Sequence, residues 1–280
     1  MTGANEELAG IALDVARVAA ELVRGRAAGG VAVADTKTSA TDVVTEADRA
    51  SEALIRRLLR ERRPDDAFLG EEGDEETGTS GVRWIIDPID GTVNFLYGLV
   101  AYAVSIAAER DGEVVAGVVL NAVTGTEFVA HLADGAAAGA GAGTATRNGT
   151  PIAVRGPAPL SHRLVATGFS YDPGVREIQA RAMVHFLPRI RDIRRIGSSA
   201  LDLCHVGEGA VDAYVEEGVN YWDHAAGGLV ARIAGARTEL TKGAGGRDLM
   251  ICAPAHGFDE LRAAVREAGF LAEEGSGTGE

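Results

Sequence analysis

The segment WIIDPIDGTVNF, residues 84–95, places two aspartates three positions apart behind a short apolar run. The run predicts a buried strand at 84–87, which carries Asp87 at its end. Pro88 fixes its own φ and stiffens the turn, so that Asp90 follows close behind. Two carboxylates held at one strand end can converge on one cation or bridge two cations.

Gly91 and Thr92 then open a predicted helix. The first N–H groups of a helix have no partner within it, so this helix start favours an anion. Carboxylates that bind metal and a helix start that binds phosphate are two features that would fit together in one site. A structural interpretation stays open, because aspartates such as Asp87 and Asp90 also suit turns and helix N-caps.

Two further acidic positions lie far away in the chain. Glu71 stands beside Glu72 in GEEG, before a polar loop, and adjacent glutamates of this kind are often solvated charge. Asp223 follows Tyr221 and Trp222 and precedes AAGGLVARIAGA. It suits the N-cap of that apolar helix, a role that does not exclude a carboxylate oxygen from binding metal.

Asp48 ends the segment DVVTEAD, three residues after Thr45. This spacing resembles a capping box, although that motif normally uses Glu or Gln at the later position. The segment therefore predicts the start of a second helix, and a purely structural role for Asp48 stays open.

The composition limits the classes of function. The chain of 280 residues is 46% hydrophobic and 24% charged, with a formal net charge of -14. Such an acidic balance argues against an electrostatic grip on nucleic acid. No apolar run reaches the length of a membrane span, and the N-terminus lacks the pattern of a signal peptide. Cys204 and Cys252 show no ligand or redox spacing. We therefore expect a cytoplasmic protein with two buried thiols, bound neither to nucleic acid nor to membrane.

Hydrophobic periodicity predicts two helices first, then antiparallel strands, then an α/β half. The helices are predicted at 6–24, 46–63, 174–187, 199–207, 224–235 and 258–268. The strands are predicted at 84–87, 101–110, 113–120, 126–132, 164–168, 193–197, 211–216 and 249–253. Asp111-Gly112 and Asn148-Gly149 predict hairpin turns, 133–143 a flexible connection, and the polar tail disorder. We place an N-terminal domain at 1–153 and a C-terminal domain at 154–280.

Taken together, these segments resemble the inositol monophosphatase family. The resemblance runs through DVVTEAD, FLGEE, WIIDPIDGTVNF, RRIGSSALDLC and DAYVEEGVNYWDHAAG, in the family's order. It covers roughly residues 6 to 255, and the pair W-x-x-D-P-x-D-G-T-x-N-F and W-D-x-A-A-G is highly specific. The resemblance implies an α/β fold, an alternating α/β/α/β/α sandwich of the inositol monophosphatase and fructose-1,6-bisphosphatase type. It also implies a homodimer.

The resemblance further implies a metal-dependent active site. Glu71, Asp87 and the carbonyl of Ile89 would hold a first Mg²⁺. Asp87, Asp90 and Asp223 would hold a second, with Glu71 near a third. Oxygen ligands of this kind suit Mg²⁺, and the resemblance implies two to three such ions. Three of them would offset the charge of the four acids and of a phosphate dianion.

The implied reaction is the hydrolysis of inositol 1-phosphate, a small phosphorylated polyol. Thr92, oriented by Asp48, would accept or relay the proton of the attacking water, which is activated near Glu71. The implied substrate contacts are Asp90, Gly91, Thr92, Ser199, Glu216 and Lys37. Glu216 at a strand end also suits a solvated charge. Lithium inhibition is a further expectation from the resemblance.

Several alternatives share the same motifs. Histidinol phosphatase, fructose-1,6-bisphosphatase and 3'-phosphoadenosine 5'-phosphate phosphatase would carry similar metal ligands. A different class is a regulatory protein that works by binding a partner. Two departures from the family pattern are Val100, where many relatives have proline, and Ser199, where many have alanine. Neither removes a predicted metal ligand, and Ser199 bears on which polyol is preferred.

Overall fold

The computed structural model describes residues 3–28, 33–36, 43–136 and 141–272. Their helices are α1 (Ala4–Ala28), α2 (Glu46–Arg62), α3 (Thr92–Tyr97), α4 (Pro173–Phe186), α5 (Ser199–Gly207), α6 (Tyr221–Ile233) and α7 (Phe258–Ala268). The first strands are β1 (Val33–Thr36), β2 (Val43–Thr45), β3 (Ala67–Gly70), β4 (Val82–Asp90), β5 (Ala103–Arg110), β6 (Glu113–Asn121) and β7 (Glu127–Leu132). The remaining strands are β8 (Gly143–Arg147), β9 (Thr150–Pro151), β10 (Leu164–Thr167), β11 (Asp192–Arg194), β12 (Ala213–Glu217), β13 (Ala236–Lys242) and β14 (Asp248–Pro254).

The larger sheet has seven strands in the order β3-β4-β5-β6-β7-β8-β9. β3 and β4 are parallel, and every later neighbour is antiparallel. Both predicted hairpin turns are present. Asp111 and Gly112 join β5 to β6 with positive φ values of 53° and 79°, and Asn148 and Gly149 join β8 to β9 in the same way. These are the conformations that two-residue hairpin turns require.

The smaller sheet has five strands in the order β11-β10-β12-β14-β13. β11, β10 and β12 are parallel, and β14 and β13 run antiparallel to their neighbours. β1 and β2 form a separate antiparallel ribbon. In the parallel part, the carboxyl ends of β10 and β12 lie side by side, which places the residues that follow them at one edge.

The helices and sheets stack in five layers. α1 and α2 pack on one face of the larger sheet, while α5 and α6 lie between the two sheets. α4 and α7 cover the far face of the smaller sheet. The predicted α/β/α/β/α sandwich is therefore confirmed, because each apolar face is buried against the next layer.

The central layer depends on a close approach of helix and sheet. A Cβ atom added at Gly117 in β6 would lie 2.9 Å from the Cα of Ala226 in α6. Real Cβ atoms do not make such contacts, so the missing side chain at 117 lets α6 lie directly on the sheet. The same helix carries Asp223 at its start. Tight packing in the centre thus sets the position of a predicted metal ligand.

Several sequence predictions needed correction. The strand at 84–87 is longer than predicted, because β4 continues through Pro88 to Asp90. The pattern missed β3, which is only four residues long. It also missed β13, an edge strand in which five of seven residues are polar and only Ala236 is buried.

The remaining predictions concern the two cysteines, the domain division, the flexible segments and membrane spans. Cys204 and Cys252 are free and buried, as expected. The division at 153/154 stays a prediction, and α5 and α6 from the second half pack against the first sheet. Part of the connection at 133–143 and most of the tail lie outside the described residues. No helix among the described residues is long and apolar enough to cross a membrane.

Candidate active site

A pocket of about 350 Å³ opens where the ends of several elements meet. The predicted residues that line it are Glu71, Asp87, Ile89, Asp90, Gly91, Thr92, Ser199, Glu216 and Asp223. They come from the loop after β3, the end of β4, the starts of α3, α5 and α6, and the end of β12. Residues that are 152 positions apart in the sequence, such as Glu71 and Asp223, therefore share one cavity.

A bulge at the end of β4 presents the first two aspartates. Asp87 pairs with Ser105 and Asp90 with Ala103, so β4 advances three residues while β5 advances two. The extra residue lies at Pro88 or Ile89, where proline has no N–H to donate to the ladder. The Ile89 N–H donates to Asp87 Oδ1 at 3.1 Å, which fixes the direction of that carboxylate.

Asp90 is bound by the N-terminus of α5. Its Oδ2 accepts hydrogen bonds from the Ser198 hydroxyl at 2.6 Å and from the Ala200 N–H at 2.7 Å. Its Oδ1 accepts from the Ser199 N–H at 3.3 Å. Burial nevertheless raises the pKa of Asp90 to about 6, although these donors and Arg195 favour its ionised form. This contact joins the end of the larger sheet to the central helix layer.

Thr92 and Asp48 are in contact, as predicted. The Thr92 hydroxyl lies 3.1 Å from Asp48 Oδ1 and 3.1 Å from the Ile89 carbonyl oxygen. Asp48 also completes a capping box with Thr45 at the start of α2, so the structural role left open for it is present. Asp48 faces Thr92 at the same time. Burial raises the pKa of Asp48, and hydrogen bonds from Thr45 oppose that rise.

Asp223 lies at the third position of α6, so its prediction as the N-cap was wrong. Asn220 is the N-cap, and its N–H donates to Asp223 Oδ2 at 2.6 Å. Asp223 is therefore the N3 residue of the capping box instead of the cap, because α6 begins three residues earlier than the predicted helix. Burial raises the pKa of Asp223 well above its usual range, and the charges of Glu71 and Asp90 raise it further.

The sequence profile of the inositol monophosphatase family matches residues 4–269. The chain belongs to the inositol monophosphatase family. It is 44% identical over 276 residues to inositol-1-monophosphatase SuhB of Mycobacterium tuberculosis, covering 92% of this chain and 93% of that protein. A Nus factor SuhB of Pasteurella multocida is 38% identical over 202 residues, with 71% and 72% covered. The chain is accordingly a phosphatase.

Solved structures of the family agree with the fold. A Mycobacterium tuberculosis SuhB structure superposes with a TM-score of 0.80 at 40% identity, covering 95% of this chain and 98% of that one. The extragenic suppressor protein SuhB of Bartonella henselae superposes with a TM-score of 0.83 at 32% identity, covering 93% and 99%. Both comparisons extend over the two sheets and the layers between them.

Inositol monophosphatases are generally metal-dependent, and the donor chemistry of this pocket fits hard divalent cations. Every predicted ligand offers oxygen, as Mg²⁺ prefers. The pocket is lined by six acidic and two basic side chains, a formal excess of four negative charges. Burial raises the pKa of Asp223, and the neighbouring charges of Glu71 and Asp90 raise it further. No group of three or more Asp, Glu, His or Cys side chains among the described residues is arranged to hold a metal ion.

Glu52, which was not predicted from the sequence, supports the loop that carries Glu71. Glu52 is buried, and its carboxylate accepts from the N–H groups of Glu72 at 2.8 Å and Gly73 at 3.0 Å. Arg56, one helical turn later, pairs with it at 2.8 Å. The Glu-Arg spacing of four residues on α2 is a signal that could have indicated a buried pair.

The part of the pocket around Ser199 and Glu216 also contains residues that were not predicted. Arg195 lines the pocket beside the predicted Ser199 and Glu216. Glu216 is not a solvated charge, because burial raises its pKa and the Tyr214 hydroxyl donates to its Oε2 at 2.9 Å. Tyr214 precedes Glu216 by two residues on β12, the spacing of one strand face. Lys37 lies outside the described residues.

Proposed function

We propose that this phosphatase hydrolyses inositol 1-phosphate to myo-inositol and phosphate, with two to three Mg²⁺ ions in each active site. The observation that carries the proposal is the pocket itself, which gathers the predicted acidic ligands and the hydrogen-bonding residues Ser199 and Glu216 around one cavity. The inositol-1-monophosphatases among its relatives support the choice of substrate. A homodimer in the cytoplasm is part of the same proposal.

The proposed ligands are assigned to two or three neighbouring ions. Glu71, Asp87 and the Ile89 carbonyl would hold one ion, and Asp87, Asp90 and Asp223 another. Glu71 would help to hold a third. Bound there, divalent cations lower the pKa of a coordinated water and stabilise the leaving alkoxide. Without them, the pocket's excess negative charge would repel a phosphate dianion.

The chain's own groups then bind the phosphate and control the proton. The N–H groups of Gly91 and Thr92, at the start of α3, would hold phosphate oxygens. The Thr92 hydroxyl would accept the proton of the attacking water and pass its own proton to the Asp48 carboxylate, which it contacts at 3.1 Å. Asp48 is suited to keep that hydroxyl oriented because its other oxygen is tied to Thr45. Lys37 would approach the phosphate from its loop.

The part of the pocket formed by Glu216 and Ser199 would bind the polyol. Glu216 offers carboxylate oxygens and Ser199 a hydroxyl, both of which hydrogen-bond to the hydroxyl groups of a sugar or cyclitol. Asp90 would add a third contact. A site built from such groups discriminates strongly against substrates that lack the matching hydroxyls, since its buried polar atoms would then be left unpaired.

A panel of substrates tests the proposal. We expect phosphate release from inositol 1-phosphate to exceed that from histidinol phosphate, fructose 1,6-bisphosphate and 3'-phosphoadenosine 5'-phosphate, and to vanish when EDTA replaces Mg²⁺. Faster turnover of one of the other three would reassign the substrate. Equal turnover in EDTA would rule out the metal mechanism.

A second candidate function is partner binding, favoured by the relatives named Nus factor SuhB. The Asp90→Asn variant separates the two functions. If phosphate release is the main function, we expect cells that carry only this variant to show the same defect as cells that lack the protein. A variant that has lost phosphate release but supports normal growth would instead favour the partner-binding role.

A further inference from the structure

The carboxylate of Glu216 lies directly over the backbone of Gly168. A Cβ atom added at Gly168 would come within 2.0 Å of Cδ, Oε1 and Oε2 of Glu216. These are the three nearest atoms to that position, and all of them belong to this one side chain. The space that a side chain at 168 would occupy is therefore filled by the carboxylate of Glu216.

The sheet register brings these two residues together. β10 and β12 are parallel neighbours in which Thr167 is paired with Val215, so that Gly168 and Glu216 follow at the next step. The Thr167 hydroxyl donates to the Val215 carbonyl at 2.8 Å and holds the strand ends in place. Gly168 is buried, and the next three residues, 169–171, line the pocket. The two positions therefore face the same end of the cavity.

Glycine is not required at 168 by the backbone. Gly168 is absent from the residues with positive φ, so its conformation is open to any amino acid. A glycine that is not needed for its dihedral angles is explained here by space alone. The nearest atoms that an alanine Cβ would meet all belong to the movable end of the Glu216 side chain, so displacement of this carboxylate would relieve the conflict with them.

Tyr214 holds the carboxylate from the other side. Its hydroxyl donates to Glu216 Oε2 at 2.9 Å, and its ring is fully buried between the central helices and the smaller sheet. A buried aromatic ring has little freedom to move, so the direction of this hydrogen bond is set by the core. Glu216 is thus placed by a fixed donor on one side and by an absent side chain on the other.

We propose that Gly168 is a specificity-determining position and Tyr214 a positioning residue, which together aim Glu216 at the hydroxyl groups of a polyol phosphate. The inference rests on the proposed function, since it concerns the part of the same pocket around Glu216. Neither residue is among those that line the pocket itself. Their effect is therefore confined to the choice of substrate.

The test compares inositol 1-phosphate with phenyl phosphate, which has no hydroxyl groups, at saturating Mg²⁺. For Gly168→Ala, we expect the ratio of the two kcat/KM values to fall about tenfold, mainly through a higher KM for inositol 1-phosphate. Turnover of phenyl phosphate should stay within about twofold. Tyr214→Phe should lower the ratio by about threefold. Gly156→Ala is the matched control, because a Cβ there meets nothing within 4 Å.

A double variant and a crystal structure complete the test. In a Glu216→Ala background, Gly168→Ala should change the ratio no further, since the conflicting carboxylate is gone. A crystal structure of Gly168→Ala should show the Glu216 carboxylate displaced.

The outcomes separate the two claims. If the wild-type protein does not prefer inositol 1-phosphate to phenyl phosphate, the proposed function fails, and this inference fails with it. If the wild-type protein shows the preference and Gly168→Ala keeps it within twofold, only the inference is overturned. An equal loss on both substrates in Gly168→Ala would also overturn it, since that would indicate a general structural role.

Discussion

Replacing Asp87 or Asp223 by asparagine is expected to lower kcat/KM for inositol 1-phosphate at least about a hundredfold, roughly 3 kcal/mol of transition-state stabilisation. Asparagine keeps the size of the side chain and one acceptor oxygen, so the hydrogen bonds from the Ile89 and Asn220 N–H groups can persist. What is lost is a negative charge at a site proposed to hold cations. Steady-state phosphate release at several Mg²⁺ concentrations measures this loss.

The stability of the metal-free protein provides a second readout for Asp223. Its folded-state pKa lies well above the usual value because of burial and the neighbouring charges of Glu71 and Asp90. Such a group binds its proton more tightly in the folded state. Its contribution to stability therefore falls as pH rises from the unfolded pKa through the raised folded pKa. Asparagine does not titrate, so the EDTA-treated Asp223→Asn protein should unfold at the same temperature as the wild type or higher at pH 7.

Loss of activity together with kept or gained stability is the signature of a functional site rather than of a structural one. Asp192→Asn on β11 is the matched control, because Asp192 is exposed and does not line the pocket. It should leave phosphate release unchanged. If Asp223→Asn were as active as the wild type, or unfolded far below it in EDTA, the assignment of Asp223 as a metal ligand would be wrong.

The part of the site formed by one short segment was predictable from the sequence, because neighbouring residues determine its conformation. The order Asp87-Pro88-x-Asp90-Gly91 combines a strand, a proline and a glycine with a φ of 96°, and these determine one bulge and one helix start within a few residues. The capping box of Thr45 and Asp48 follows from spacing alone. In such segments the same residues determine the backbone conformation and the position of the site's carboxylates.

The rest of the site depends on packing between layers, which spacing does not reveal. Nothing in the pattern around Glu216 indicates that Gly168 lies beneath it, since 48 residues separate them and the contact arises from the pairing of β10 with β12. Glu52 was missed for a similar reason, because its acceptors lie on a loop that only the tertiary fold brings to α2. The meeting of Asp223 with the β4 acids was anticipated through the family resemblance rather than through periodicity.

Removing the hydroxyl of Thr92 is expected to be as damaging as removing a metal ligand. Thr92→Val has nearly the same shape but can neither donate nor accept a hydrogen bond, so it cannot take a proton or stay in contact with Asp48. We expect kcat to fall at least about a hundredfold, within the range that a positioned acid or base contributes. Thr92→Ser keeps the hydroxyl and should retain activity within about tenfold.

The contact between Thr92 and Asp48 leads to a prediction for the double variant that is more specific than the prediction for either single variant. A hydroxyl has one hydrogen, so Thr92 can donate either to Asp48 Oδ1 or to the Ile89 carbonyl, both 3.1 Å away, but not to both at once. If Asp48 acts by orienting this hydroxyl, Asp48→Asn should lower kcat in the wild type and have little further effect in Thr92→Val. Additive losses would mean that Asp48 acts elsewhere, for instance through the cap of α2. Far-ultraviolet circular dichroism of Asp48→Asn distinguishes that case, since a lost cap would reduce helix content whereas a lost orientation would not.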